Sequence, residues 1–456
     1  MNILEKIVAD RRKSPEIDQG IAGKLPSRVW PVVPFFSGSK PFIIAECKKA
    51  SPTKGSFAVR DYRELAHDYY RGGIRHFSVL TERKYFRGSL QDLYELKKQY
   101  PHCAFLRKDF LYCRADIAHA YRAGADAVLL IAEILSDKLL QDLINEAHKY
   151  KMQVLCEAHS LESIRRILRL KNPPDAIGIN SRDLKTFKIQ HDQPLRLKPY
   201  IPAGIPVVYE SGIDNAYLLE IIGNAGFRAA LIGETVVKAA DRAGLIRDFI
   251  RSVRRGAAQK PNFFTRLYAR KKNLFVKMCG LTNKADVELA ARSGADIAGF
   301  VLIPESPRCV DEQLLRAVKK TNILKAAVVK KVTLQIKKLL KAGLLDAVQT
   351  YTEADVYALP GQAYLVTTDP RRRALPVTLY DAPKTKKMHK GQTIPPAAYP
   401  HIYGQWLAGG LTPQNVRKLV GKIRPGLVDI SSGIEKSIGQ KDGQKIKLFL
   451  KEVRRV

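Results

Sequence analysis

Residues 42–55 read FIIAECKKASPTKG, and the fold turns on how this stretch is understood. It opens as an apolar run and then sets Glu46, Lys48, Lys49 and Lys54 within nine residues. Burying an unpaired charge is expensive. Two readings compete: a strand that ends in a solvated loop, or one that ends in the mouth of a catalytic site. Side chains alternate along a strand, so Glu46 and Lys48 share a face.

The rhythm around this stretch favours the second reading. Short apolar runs recur as FIIAECK, FSVL, AFLRKD, AVLLIA, VLCEA, AIGIN, VVYESG and ALIG. Between them lie stretches such as Leu139 to Tyr150, where Leu139, Leu140, Leu143, Ile144 and Ala147 fall at helical spacing. Near Asn273 the pattern restarts with FVKMCG, IAGFVL, AAVV, AVQTY, AYLVT, VTLYD, WLAGG and VDISS. Strands alternating with helices imply parallel βαβ units, and eight of them imply a closed barrel with active residues at the C-terminal strand ends. A doubly wound open sheet is the alternative, but no glycine-rich dinucleotide fingerprint follows either first strand. The expected class is α/β, with two tandem (β/α)8 TIM barrels at 1–255 and 274–456. Residues 256–273, basic, partly helical and broken at Pro261, are expected to link them. The repetition is architectural; the halves share no residue-level repeat.

Bulk properties agree. A chain of 456 residues exceeds one ordinary domain, and 45% hydrophobic with 27% charged residues is globular composition. Six cysteines without a CxxC pair make neither a disulfide framework nor a zinc ribbon, so a reducing cytoplasm is expected. MNILEKIVADRRK reads as an amphipathic helix rather than a signal peptide, and AVLLIAEIL is too short to span a bilayer. No membrane association is expected. The net charge of +34 is spread along the chain, and its basic runs lack interleaved aromatics. A nucleic-acid-binding protein on a barrel scaffold is therefore a rival motivated by charge alone.

Further polar residues end the apolar runs: Lys108 after FLR, Glu157 in VLCE, Asn180 in AIGIN and Glu210 in VVYE. Each alone is explained by a solvated strand end. Together with Glu46 and Lys48 they suit acid–base work on a small anion. Ser211-Gly212 and Gly233-Glu234 follow the seventh and eighth runs, where small residues let backbone N–H groups approach a phosphate. In the second half, Lys277 and Cys279 share a face at the end of LFVKMC, and Asp381 ends VTLYD. A lone cysteine is usually a small buried hydrophobe; beside lysine, its pKa is expected to fall and favour thiolate.

IIAECKKASPTKG, LRKDF, CEAHS, GINSRDL, YESGI and LIGET resemble indole-3-glycerol phosphate synthase motifs, in that family's order, across nearly all of residues 1–255. The resemblance implies that Lys108 is the general acid that protonates the substrate carbonyl during ring closure. It implies that Glu157 transfers a proton in dehydration, that Lys48 pairs with an anthranilate carboxylate, and that Glu46 orients and dehydrates. Asn180, Glu210 and Ser211 would hold the sugar chain and phosphate. Ser51, Lys54, Arg182, Gly212, Gly233 and Glu234 would complete the binding set. Ser181 stands where the family usually has asparagine.

KMCGLT, SPRCV, AGGLTPQNV and VDISSGIE likewise resemble phosphoribosylanthranilate isomerase over about 274–456. This makes Cys279 the base that removes the sugar C2 proton and Asp381 the acid that protonates the ring oxygen. Arg308 would meet the anthranilate carboxylate. Gly391, Gly409, Gly410, Ser431 and Ser432 would surround the phosphate, with Asp429 nearby. Two departures stand out: Gln349-Thr350-Tyr351-Thr352 replaces glutamine-leucine-histidine-glycine, and HKGQT leaves Gly391 alone in a loop usually richer in glycine. The combined expectation is a monomeric, bifunctional enzyme of tryptophan biosynthesis acting on small phosphorylated anthranilates without metal or organic cofactor. A monofunctional synthase with a remnant second barrel is the alternative.

Overall fold

The computed structural model describes residues 3–13, 16–51, 55–57, 61–183, 188–372, 376–382 and 398–455. These form two compact units, Met1–Lys260 and Pro261–Val456. Each is a closed barrel of eight parallel strands. In the first, the strands are β1 (Phe42–Cys47), β2 (His76–Leu80), β3 (Ala104–Lys108), β4 (Ala127–Ile131), β5 (Gln153–Ala158), β6 (Ala176–Asn180), β7 (Val207–Glu210) and β8 (Ala229–Ile232). In the second they are β9 (Phe275–Cys279), β10 (Ile297–Val301), β11 (Leu324–Val328), β12 (Ala347–Thr350), β13 (Ala363–Thr367), β14 (Thr378–Asp381), β15 (Trp406–Ala408) and β16 (Leu427–Ile430). Closure comes from β1 pairing with β8 and β9 with β16. All the runs read as strands in the sequence are strands here.

Helices cover the outside of each barrel, so its strands are buried on both faces and read as continuous apolar runs. Every residue of β1 is buried, Glu46 included. Inside the first barrel Ile44, Leu106, Leu129, Leu155, Val208 and Leu231 belong to one apolar cluster with Phe35 and Phe36. The Phe35 and Phe36 amides both donate to the Gln153 side-chain carbonyl, at 2.6 and 2.9 Å, which fixes these rings beneath the strands. Asp126 anchors the same N-terminal segment, accepting from Arg28 at 2.7 Å and Lys97 at 2.8 Å.

The opposite end is crossed by the helix Ile3–Lys13. Ile7 faces the cavity there, and Asp10 is paired with Lys84 at 2.7 Å. Arg11 lies 3.4 Å from Asp109 and 3.3 Å from Asp116.

In the second unit the helix Phe263–Tyr268 lies inside the stretch read as linker. It packs Phe263 against Tyr364 and Trp406, with ring centroids 6.0 and 6.4 Å apart. The preceding helix, Arg242–Ala257, belongs to the first unit, so only a few residues separate the two. Among the described residues no helix is long and apolar enough to cross a membrane.

Candidate active sites

The first barrel opens at the C-terminal ends of its strands into a cavity of about 740 Å³. Strand alternation aims one charged residue from each of several strands into it. From β3, Lys108 Nζ lies 3.3 Å from Glu157 Oε2 (β5) and 3.0 Å from Glu210 Oε2 (β7). From β6, Asn180 Nδ2 donates to Glu157 Oε1 at 3.2 Å. At the end of β1, Glu46 and Lys48 form their own pair at 3.1 Å. The charges that make FIIAECKK unusual are therefore buried as partners, which removes the cost of burying them singly.

Burial alone would push Lys108 down, but the Glu210 and Glu157 carboxylates overcome it and hold the ammonium well above the ordinary lysine range. The two carboxylates then separate. Burial and the nearby Glu157 charge push Glu210 up. Glu157 is also penalised by burial, but Lys108 and His159 pull it down. A buried carboxylate pair kept unequal in this way can hold and pass a proton. Gly178 in β6 makes room for the arrangement, because a Cβ there would sit 1.9 Å from Glu210 Oε1.

The phosphate end expected at Ser211-Gly212 has a definite shape. Both residues are left-handed, with φ of 68° and 71°. A serine in that region is strained. The Ser181 hydroxyl donates to the Ser211 carbonyl at 2.9 Å and pins it, which gives the residue at this departure from the family pattern a local task. A Cβ at Gly212 would lie 2.6 Å from Ile189, so the wall is closed to any larger residue. Gly233 approaches the Glu46–Lys48 pair so closely that a Cβ would lie 2.7 Å from Glu46 Oε1 and 2.9 Å from Lys48 Nζ. Glu234 also lines the cavity and is paired with Lys238 at 2.6 Å. The Arg182 amide donates to Asn180 Oδ1 at 3.0 Å. Lys54 and the Ser51 side chain lie outside the described residues.

In the second barrel, Lys277 and Cys279 do share a face: a Cβ at Gly299 would sit 2.8 Å from Cys279 Sγ and 3.0 Å from Lys277 Cε. Lys277, fully buried, pairs with Asp429 and donates to Gln349 Oε1 at 2.6 Å. Asp429 thus lies under the mouth as the partner of Lys277. The thiol differs from expectation. Burial pushes Cys279 up, and Lys277, already engaged by Asp429 and Gln349, offsets this only in part.

Arg308 is held at both ends by Glu435, Nε to Oε1 at 2.8 Å and Nη2 to Oε2 at 2.6 Å. The guanidinium expected to meet a substrate carboxylate thus already holds one from the chain. Lys441, buried, donates to Glu435 Oε1 at 3.0 Å, to the Cys279 carbonyl at 2.7 Å and to the Ser431 carbonyl at 3.2 Å. It ties together the ends of β9 and β16. Glu435 and Lys441 carried no signal in the sequence beyond their type.

Asp381 ends β14. The half-exposed Tyr351 feels its charge and that of Cys279, though burial does more to raise the phenol. Gly409 and Gly410 are successive left-handed residues, φ 86° and 63°, of the kind that turn amides toward an anion. Ser432 begins a short 3-10 turn after Ser431. Gly391 lies outside the described residues.

Residues 33–249 match the family model described as indole-3-glycerol phosphate synthase. Residues 399–452 match the model described as N-(5'-phosphoribosyl)anthranilate isomerase. A multifunctional tryptophan biosynthesis protein of Schizosaccharomyces pombe is 28% identical over 465 residues, covering 91% of this chain. The chain spans 60% of that protein's length. The indole-3-glycerol phosphate synthase of Lactiplantibacillus plantarum is 39% identical over 213 residues, covering 46% of this chain and 81% of the relative. That of Albidiferax ferrireducens is 39% identical over 256 residues, covering 53% and 95%. The chain belongs to the indole-3-glycerol phosphate synthase family, and its second barrel contains a segment that matches the isomerase model.

Proposed function

We propose that the chain catalyses two consecutive steps of tryptophan biosynthesis. The second barrel isomerises N-(5-phosphoribosyl)anthranilate, and the first closes the product, 1-(2-carboxyphenylamino)-1-deoxyribulose 5-phosphate, to indole-3-glycerol phosphate with loss of carbon dioxide and water. The observation that carries this reading is Lys108, an ammonium held between Glu157 and Glu210 at the mouth of a roomy cavity.

In the synthase site Lys48 pairs with the anthranilate carboxylate. Lys108 gives its proton to the sugar carbonyl, which makes that carbon electrophilic toward the ring. A site walled by fixed charges needs little reorganisation as charge develops. Glu157 moves a proton in the dehydration that follows, with Glu46 assisting. Ser211, Gly212 and Gly233 offer backbone N–H groups to the phosphate. In the isomerase site Cys279 removes the C2 proton and Asp381 protonates the ring oxygen. Arg308, released in part from Glu435, takes the anthranilate carboxylate.

All six cysteines are unpaired, which supports a cytoplasmic setting. The test is purified protein assayed with each substrate separately. Turnover of both supports the reading; turnover of the carboxyphenylamino sugar alone leaves a synthase with a non-catalytic second barrel.

A further inference from the structure

Behind the synthase cavity, on the side away from the substrate space, His159 stands between two carboxylates. Its Nε2 lies 3.3 Å from Glu157 Oε1, and its Nδ1 lies 3.2 Å from Glu133 Oε2; neither approach is aligned as a hydrogen bond at rest, so transfer requires the ring to turn. Glu157 faces the cavity; Glu133 reaches solvent, with its side chain 24% exposed against 4% for Glu157. The imidazole between them is 11% exposed. The geometry has a structural cause. Strands β4 and β5 pair with Ile131 opposite Glu157, so the short turn after β4 carries Glu133 alongside the end of β5.

The turn is held in place. The His159 amide donates to Glu133 Oε1 at 2.8 Å, and the Gln193 side chain donates to the His159 carbonyl at 2.7 Å. Arg166, from the helix Leu161–Leu168, donates to the carbonyls of Ala132 and Leu135 at 3.2 and 2.9 Å. The charged groups facing the imidazole are Glu133 from the β4 turn, Glu157 from β5 and, beyond it, Glu210 from β7, while Lys108 from β3 lies on the far side of the two buried glutamates.

We propose that Glu157, His159 and Glu133 form a proton relay that connects the synthase active site to solvent and resets Glu157 between turnovers. The proposal rests on the reading of Glu157 as the group that takes a proton during dehydration. Once Glu157 holds that proton, its Oε1 passes it to Nε2 of His159, and the ring releases the proton on Nδ1 to Glu133 Oε2. Glu133 gives it to water. Rotation of the ring or exchange of tautomers restores the starting state of these three residues, and Lys108, which gave a proton to the substrate carbonyl, takes one back from water in the cavity. The relay explains why a carboxylate interrupts the apolar run AVLLIAEIL and why a histidine that does not line the cavity sits against a buried active-site carboxylate. Burial disfavours the imidazolium, but the Glu133 and Glu157 carboxylates outweigh it and raise the ring above the ordinary histidine range, so a transient proton there is supported.

The experiment compares wild type, His159→Gln, His159→Ala and Glu133→Gln with the carboxyphenylamino sugar phosphate, in single turnover with enzyme in excess and in steady state. Glu133→Gln can still accept the His159 amide but cannot take up a proton. The expected result is a first turnover within about threefold of wild type in both Gln variants. Their steady-state rate should fall about 10- to 100-fold, up to the lower end of the roughly 10²–10⁴-fold that a positioned proton-transfer group supplies in the chemical step itself. Added imidazole should restore His159→Ala in proportion to its neutral form. Two results overturn the relay: steady-state rates within twofold of wild type in both Gln variants, or an equal fall in single-turnover and steady-state rates without imidazole rescue, which marks His159 as a positioning residue. If wild type itself forms no indole product, the reading of the synthase site fails, and that outcome is distinct from either.

Discussion

Gly178→Ala is the smallest change that tests whether the position of Glu210, rather than its presence, matters to ring closure. Gly178 lies in β6, two residues before Asn180 and on the same face. A methyl there would meet Glu210 Oε1 at 1.9 Å, and Cβ contacts under 3.0 Å are essentially never seen, so the oxygen must retreat by about 1.1 Å. The same carboxyl group holds Lys108 through its other oxygen at 3.0 Å, and Leu155 closes the space behind the new methyl at 3.4 Å. The displacement is therefore handed to Lys108. Misplacing a reacting group by about 1 Å can cost on the order of 10²-fold in rate, and overpacking a core typically costs about 1–3 kcal/mol. We expect the synthase kcat to fall about 10²-fold, with the melting temperature of the first unit lowered by roughly 2–10 °C. Isomerase turnover in the same preparation should be unchanged and serves as the control for enzyme concentration, while the melt reports the folding of the first unit. The assay is formation of the indole chromophore, read beside a thermal melt. A variant that melts like wild type and keeps its synthase rate within threefold would refute the argument, because Glu210 would then have a second productive position.

Lys108→Met should remove synthase activity, leave isomerase within about twofold, and destabilise the first unit by about 3–5 kcal/mol, since Glu157 and Glu210 lose the cation between them; loss of both activities in folded protein would show that the sites are not independent. Cys279→Ser should cost the isomerase about 10²–10⁴-fold and leave the synthase intact. Because burial raises the Cys279 thiol and the active form is the thiolate, wild-type isomerase kcat/KM should climb with pH above neutrality; a flat profile between pH 7 and 9 would count against the cysteine base. Glu435 is held down to about 2 against its ordinary 4.5: burial opposes this, but Arg308 and Lys441 outweigh it. Its contribution to stability is thus complete above about pH 5 and lost as pH falls toward 2. Glu435→Gln should flatten the acid limb of stability in urea melts taken at several pH values, and an unaltered limb would remove the pair from the account.

What the sequence revealed and what it hid divide along one physical line. Parallel barrel strands are buried on both faces, so each appears as an unbroken apolar run, and a charge at its end is conspicuous. Glu46, Lys108, Glu157 and Glu210 were legible for that reason. Partnerships across strands were not. Glu133 and His159 are 26 positions apart, and Arg308 and Glu435 are 127 apart; register alone joins them. The interrupted run AVLLIAEIL was the one signal for Glu133. The basic stretch before Asn273 reads as partly helical, and the helix Phe263–Tyr268 lies in it; that this helix packs on the second barrel was hidden because its apolar face, Phe263, Phe264 and Leu267, is too short to show a period.

The Cys279 thiol shows why neighbours in sequence are a weak guide to electrostatics. Lysine two residues before cysteine suggested a lowered pKa, and the two side chains do face the same way. But the field at the sulfur depends on what else holds the ammonium. Lys277 is fully buried against Asp429 and Gln349, so much of its charge is neutralised before it reaches the thiol. The synthase mouth solves the opposite problem. There one ammonium faces two carboxylates that burial penalises alike; Lys108 and His159 hold Glu157 down, and the Glu157 charge adds to burial in pushing Glu210 up. A buried cation matched by one anion is a structural pair; a buried cation outnumbered by its anions leaves a proton to be moved. On that argument the charge imbalance of the first barrel suits it to moving a proton, and in the isomerisation proposed for the second a substrate carboxylate would compete with Glu435 for Arg308.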